Sequence, residues 1–306
     1  MKEAADQNVP PVLLMLFNRA DTTRKVFETV RAARPSKLFI AANGPRPNMA
    51  SDIDKCRAVR EIFSGIDWEC DVHTNFREKN IGMQPHWRLA LDWFFEGADA
   101  GIILEDDCVP HPSFFGYCGE LLKRYKDEPR IMHINGSNFQ FGIPRGDASY
   151  YFSRYPHVWG WATWKRAWQG YDDSLSTFPR FEKDDDIGEM VSDRRQRDYW
   201  MKFFRGLRDG RYDTCDAKWI YSIWANDGLC ITPNTNLIEN IGYGAQATHT
   251  FHKDRILGQS ARDIRPISHP APVYTADRAA DDRTFEVYFK KNLLQKALYK
   301  IRQHLS

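Results

Sequence analysis

GIILEDD, residues 101–107, sets four apolar positions directly against three acids. A short apolar run of this kind reads as a buried strand, so Glu105, Asp106 and Asp107 would emerge where that strand leaves its sheet. Working upstream, Gln84 to Glu96 carries helical spacing packed by Leu89, Leu91, Trp93 and Phe94, and Trp68 to Thr74 suits a strand. Before these come a helix over Asp52 to Phe63, an apolar run from Lys37 to Ala42 stopped by Asn43-Gly44-Pro45, and a helix from Asp21 to Ala33 capped by Asp21 or Thr22. The chain opens on PPVLLMLFN, a further strand. Downstream, 114–126 reads as a helix and Arg130 to Ile134 as a strand. Strands and helices alternating in this way predict an α/β fold with a mostly parallel sheet covered on both faces. Ligands of such sheets lie beyond the carboxyl ends of the strands, where the three acids fall.

Three adjacent carboxylates repel one another. A bound divalent cation would relieve that repulsion, and Mg²⁺ or Mn²⁺ commonly takes one or two carboxylates while substrate phosphates fill other positions. The plainer reading of Asp107 is the cap of a helix in the PSFFGYC stretch, where Pro110 and Pro112 suit a preceding loop.

Composition narrows the classes. The 306 residues are 42% hydrophobic and 27% charged with a formal net charge of +2, and lack the clustered basic face of a nucleic-acid binder. The apolar run Val12 to Phe17 is too short for a signal peptide or a membrane span, so the expected compartment is cytoplasmic. Six cysteines without CxxC or Cys/His spacing read as reduced thiols. From Phe181 to Asp198 the chain is strongly charged, which suits a solvated helix or a mobile excursion.

The stretch AGIILEDDCVPHPSFFGYCGELL resembles a segment of GT-A fold glycosyltransferases, in particular a group similar to N-acetylglucosaminyltransferase I and its bacterial relatives. Apolar strand, Glu-Asp-Asp, a Pro-containing linker and an aromatic pair follow there in the same order. PPVLLMLFNRADTTRKVFETV resembles that family's first strand and helix, and IAANGPR its second strand. The resemblance implies a Rossmann-like GT-A domain over 1–250, with a nucleotide-sugar half at about 9–135 and an acceptor half at about 136–250, followed by an extension over 251–306. It implies donor contacts from Arg19, Asn43, His86 and Arg88, the last two in a QPHWR segment with Trp87 between them. Glu105 and Asp106 would face the nucleoside, with Asp107 on the metal. Asn43 stands where the family enzyme has Asp. Read without the resemblance, Arg19 suits a surface helix and His86 a buried imidazole.

In the second half, SRYPHVWGWATWKRAW holds four Trp in ten residues. Indole faces stack on sugar rings, while Trp is also a common core residue. Trp164 and Trp168 are spaced i, i+4 and are assigned to the core. Gly160-Trp161 resembles the family's turn near the transferred sugar and acceptor. An inverting transfer needs a carboxylate to take the acceptor hydroxyl proton. By resemblance that position is Asp216, at the N-cap of a helix from about Ala217 to Asn226, with Asp213 as runner-up. His249, in ATHT, resembles a C-terminal His that returns to the metal or diphosphate. The tail from Phe285 places Phe289, Leu293, Leu294, Ala297, Leu298, Ile301 and Leu305 on one face with lysines elsewhere, a pattern for an anionic membrane surface or for packing on the protein body.

Together these imply a metal-dependent glycosyltransferase of polysaccharide biosynthesis type. It would use Mn²⁺ or Mg²⁺, a UDP-sugar donor and a glycan or lipid-linked acceptor, with inversion and peripheral membrane contact through the tail. The alternatives are a sugar-phosphate nucleotidyltransferase, which FNRADTT disfavours by lacking a Gly-rich basic loop, and a non-catalytic carbohydrate-binding or scaffolding protein.

Overall fold

The structure is a computed structural model that describes residues 9–242, 256 and 258–290. In chain order the first half runs β1 (Val12–Leu16), α1 (Ala20–Ala33), β2 (Lys37–Ala42), α2 (Ser51–Glu61), β3 (Asp71–Phe76), α3 (Met83–Gly97), β4 (Ala100–Glu105), β5 (Cys108–Pro110), α4 (Ser113–Arg124) and β6 (Ile131–Asn135). The second half continues β7 (Tyr150–Ser153), β8 (Trp161–Trp164), α5 (Lys165–Trp168), α6 (Phe178–Lys183), α7 (Ile187–Met190), α8 (Arg194–Arg208), α9 (Cys215–Ala225), β9 (Leu229–Pro233), β10 (Ile238–Asn240) and α10 (Arg278–Thr284).

Eight strands form one sheet in the order β3-β2-β1-β4-β8-β6-β9-β7, and β5 pairs with β10 in a small second sheet. β3, β2, β1 and β4 are mutually parallel, β8 and β7 run against their neighbours, and β6 and β9 are parallel to each other. The mostly parallel α/β sheet expected from the sequence is thus observed. The chain builds outward from β1 to β2 and β3, then reverses to lay β4 on the other side of β1. In open α/β sheets ligands bind beyond the carboxyl ends of the strands that flank such a reversal, here β1 and β4.

Alternation along β1 explains why both faces must be covered. Leu14 and Leu16 join a core with Phe27 and Val30 of α1 and Leu121 of α4, whereas Leu13 and Met15 join a core with Trp87 and Phe94 of α3. A strand buried on both sides reads as a continuous apolar run, which is why VLLML was legible. Burying one such side chain contributes roughly 1.5–3 kcal/mol.

Two expectations are corrected. The charged 181–198 segment is not an excursion: Phe178, Phe181, Ile187 and Val191 are buried, and α8 carries Trp200, Phe204 and Leu207 into the core at helical spacing. Its N-cap Asp193 accepts from the Gln196 N–H. Trp164 and Trp168 do not share a helix face. Trp164 ends β8 and enters one core, while Trp168 closes α5 and enters the other. Among the described residues no helix is long and apolar enough to cross a membrane. The tail beyond Lys290 lies outside the described residues.

Candidate functional site

After β1 the chain turns through Phe17 and Asn18 to Arg19, which stands in the N-cap position of α1, a place expected of Asp21 or Thr22. Its carbonyl accepts from the Thr23 hydroxyl at 2.6 Å. The guanidinium, freed from the helix, reaches across the reversal point to the end of β4. Its Nη2 bonds Asp106 Oδ1 and, at 2.8 Å, Asp107 Oδ2, while Nε reaches Asp106 Oδ2 at 3.4 Å. Arg19 therefore supplies part of the positive charge that would relieve the repulsion among the three acids.

That compensation is partial. Burial pushes the Asp106 carboxyl up, and Asp107 adds to the push, while Arg19 opposes both without cancelling them. Glu105 pairs through its backbone with Met15. Among the described residues its carboxyl meets no donor, and burial, then Asp107 and Asp106, raise it above the usual carboxylate range. Asp216 contributes to the same shift, so its charge lies within the field of Glu105.

Asp216 belongs to the first turn of α9 rather than its cap. Thr214 is the cap: its Oγ1 accepts from the Ala217 N–H at 3.3 Å and donates to Asp216 Oδ1. An acid in the first turn is favoured by the helix dipole. Gln84 of α3 accepts from the Cys215 N–H through Oε1, tying the start of α9 to the start of α3. The runner-up, Asp213, is held by Lys218 at 3.1 Å, and Asp173 binds the same ammonium at 3.0 Å.

The other expected donor contacts divide. His86, 8% exposed in the first turn of α3, has no hydrogen-bond partner of good geometry on either ring nitrogen among the described residues. Burial and the nearby Arg77 lower its pKa to about 4, outweighing a weak opposing influence of the Ala41 carbonyl, so the ring is neutral. Asn43 is buried and committed: Oδ1 accepts from the Gly44 and Ile81 N–H groups at 3.0 and 3.2 Å, and Nδ2 donates to the Gly82 carbonyl. It joins the loop after β2 to the loop before α3. Gly44 is required at that junction, since a Cβ there would fall 2.5 Å from the Lys79 backbone. Arg88 is half-exposed and faces Asp92 at 3.5 Å and Asp173 at 3.7 Å.

Gly160 and Trp161 sit inside the protein. Gly160 has φ of +60°, and a Cβ would collide with Ile238. Trp161 is fully buried, stacked between His133 at 4.8 Å and Trp87 at 6.0 Å, with no exposed face for a sugar. His249 lies outside the described residues. The described chain does reach the acids on its way there, for Ile241 donates its N–H to the Asp107 carbonyl at 2.8 Å, and a Cβ on Gly242 would strike Asp107 Oδ2.

Sequence reasoning missed Asp52. It is buried and receives Asn18 Nδ2 at 2.8 Å and Arg46 Nε at 2.6 Å, so it braces the loops after β1 and β2. Arg46 and Asn18 hold its carboxyl near 2. In SDIDK it reads as one surface acid among several, and only the cation six residues earlier hints otherwise.

Among the described residues, no three His, Cys, Asp or Glu side chains converge on a point that could hold a metal by themselves. Among the described residues Asp107 Oδ1 is the least committed oxygen of the salt-bridged pair, with only the Cys108 thiol at 3.4 Å. One such ligand fits an Mg²⁺ or Mn²⁺ ion shared with a diphosphate but not an all-protein cage. A 720 Å³ groove lined by Val9, Pro11, Ala100, Lys123 and Trp164 lies at the opposite, amino-terminal end of β1 and β4.

No protein-family model matches the chain, and no curated protein does. Solved structures similar to it include the mannosyltransferase PcManGT from Pyrobaculum calidifontis in complex with GDP-Man and Mn²⁺ (TM-score 0.33, 11% identity, 50% of this chain and 44% of that one). HddC from Yersinia pseudotuberculosis (TM-score 0.32, 10% identity, 56% and 86%) and an apo UDP-glucose pyrophosphorylase (TM-score 0.33, 9% identity, 72% and 90%) are also similar. The chain spans less than half the length of the mannosyltransferase. Likeness at this level assigns no activity and does not carry the narrower resemblance to N-acetylglucosaminyltransferase I.

Proposed function

We propose that the chain is a glycosyltransferase, of hexosyl or N-acetylhexosaminyl type, that moves a sugar from a nucleotide-diphosphate donor to a hydroxyl of a glycan or lipid-linked acceptor with inversion. The observation that carries this reading is the gathering of Arg19, Glu105, Asp106 and Asp107 at the sheet's reversal point, with Asp216 in the field of Glu105. Ligands of open α/β sheets bind at that point. His86 supports the nucleotide assignment, because a buried imidazole whose nitrogens find no well-aligned partner among the described residues is an expensive feature unless a ligand satisfies it.

Asp216, exposed at the start of α9, takes the proton of the acceptor hydroxyl. The hydroxyl oxygen then bonds to the anomeric carbon as the bond to the diphosphate breaks, and the diphosphate leaves with the electron pair. Arg19 and two aspartates leave a surplus of negative charge, so a diphosphate needs a further cation. Asp107 is the residue that would hold Mn²⁺ or Mg²⁺, and the ion supplies Lewis-acid stabilisation of the leaving group. UDP is the favoured nucleotide.

The test is a panel of UDP-, GDP- and dTDP-sugars assayed by thermal shift with Mn²⁺ and with EDTA, followed by transfer assays. One nucleotide class should stabilise the protein only with metal. Asp216→Asn should keep that stabilisation while transfer falls roughly 10²- to 10⁴-fold. Full activity in Asp216→Asn overturns its role. Release of pyrophosphate from a nucleoside triphosphate and a sugar phosphate, without acceptor, would make the protein a nucleotidyltransferase instead. Silence across the panel would leave a binding or scaffolding protein.

A further inference from the structure

The two edges of the main sheet are treated differently. At the β7 edge the C-terminal segment closes over the strand: Asp277 donates its N–H to the Phe152 carbonyl at 2.8 Å, and Ser149 donates to Ser268 at 3.0 Å. Among the described residues nothing pairs with the outer side of β3. β3 is parallel to β2, with Asp71 N–H bonded to the Ser36 carbonyl and Arg77 N–H to Ala42. Residues 71, 73, 75 and 77 therefore direct their backbone groups inward, and Val72, Thr74 and Phe76 direct theirs outward. The side chains of those three are exposed, two of them apolar at 38% each. An open edge of this length is a template for another strand unless charge or proline blunts it, and none of the three outward residues is charged or proline.

The sequence of the edge is self-complementary. A second copy laid antiparallel about a two-fold axis through Thr74 opposes Val72 with Phe76 twice and Thr74 with itself. The same register opposes Asp71 with Arg77 and, one step further out, Glu69 with Lys79. Both ion pairs fall on the face shared by His73 and Asn75, and the apolar pair falls on the other. Outward backbone groups meet outward backbone groups at 72–76 and 74–74, which is the alternation an antiparallel ladder requires. Cross-strand pairs of these kinds are what stabilises a sheet. We infer that the chain forms a symmetric homodimer by antiparallel pairing of its β3 strands in the register centred on Thr74, joining two eight-stranded sheets into one.

Sedimentation equilibrium of the full chain at micromolar concentrations tests this. The expected result is a mass of about twice 35.7 kDa, falling to the monomer value on dilution. Val72→Lys should give monomers, as should Asp71→Arg and Arg77→Asp singly, and the double exchange Asp71→Arg with Arg77→Asp should restore the dimer. Circular dichroism and a melting curve on each variant confirm that it is folded before its mass is read. A monomeric wild type overturns the proposal, as does a dimer indifferent to Val72→Lys. Failure of the folded double exchange to recover the dimer overturns the register.

Discussion

Asp52, on α2, and Asp281, on α10, are both buried carboxylates that accept hydrogen bonds, yet they are shifted in opposite directions from the ordinary value. Asp52 meets Arg46 and is pulled to about 2. Asp281 meets the Ser153 hydroxyl and the Arg154 N–H, and burial pushes it up to about 7. The pattern extends to the two halves of the sheet. The β3-β2-β1-β4 half sets arginines against its buried aspartates, as Arg19 does for Asp106 and Asp107. The β8-β6-β9-β7 half buries polar groups discharged among aromatic rings: burial lowers His133 and His157 to about 3, and His133 sits against Trp161 and accepts from the Trp219 indole N–H at 3.1 Å. Charge held at the carboxyl end of a sheet can act on a ligand, whereas polarity sealed among rings holds a core together.

Trp161 breaks this division most severely if it is wrong. As a core residue, Trp161→Ala should cost roughly 3–5 kcal/mol, because the cavity among His133, Trp87 and Trp219 cannot collapse fully. Trp161→Phe should recover much of that loss. Urea denaturation reads both. A stable Trp161→Ala protein that had lost only acceptor affinity would return this residue to the sugar site.

The next largest effect belongs to Arg19. Arg19→Met leaves Asp106 and Asp107 buried side by side with no cation, and should destabilise the chain by about 3 kcal/mol, the low end for a broken buried pair since the arginine is 19% exposed. The deficit should shrink as the pH falls, because protonating Asp106, already raised to about 6, removes part of the uncompensated charge. Denaturation at pH 5 and pH 8 tests this, and an equal deficit at both would mean that Arg19 does not neutralise the pair.

The same contrast explains what the sequence disclosed. Strands buried on both faces are apolar throughout, so β1, β2 and β4 were legible, and GIILEDD pointed to the carboxyl end of the sheet because its acids follow the apolar run without a break. The partners of those acids were not legible, since Arg19 and Asp106 stand 87 positions apart in sequence and nothing local records their contact. Trp161 misled for a related reason. A Gly-Trp turn looks alike whether the ring faces a ligand or the core, and what settles it is that β8 lies inside the sheet between β4 and β6. Asn43 had the same ambiguity, its amide being equally suited to a base and to the loop it holds.

Asp281 gives the smallest effect and the most direct test of discharge in the second half. Its folded value near 7 lies above the ordinary 3.8, so the unfolded chain releases this proton from about pH 4 upward while the folded chain retains it until about pH 7. Stability from this group is therefore complete below pH 4 and declines as the pH rises from 4 to 7. Asp281→Asn removes the titration but keeps an oxygen acceptor for only one of the two donors, Ser153 and Arg154. At pH 4.5 the variant should be less stable by about 1 kcal/mol, the worth of one hydrogen bond. By pH 8 that gap should close or reverse, because the wild type by then holds a charged carboxylate against neutral donors. Parallel stability curves across this range would mean that Asp281 is ionised in the folded protein, and that the second half of the sheet tolerates charge without an arginine to meet it.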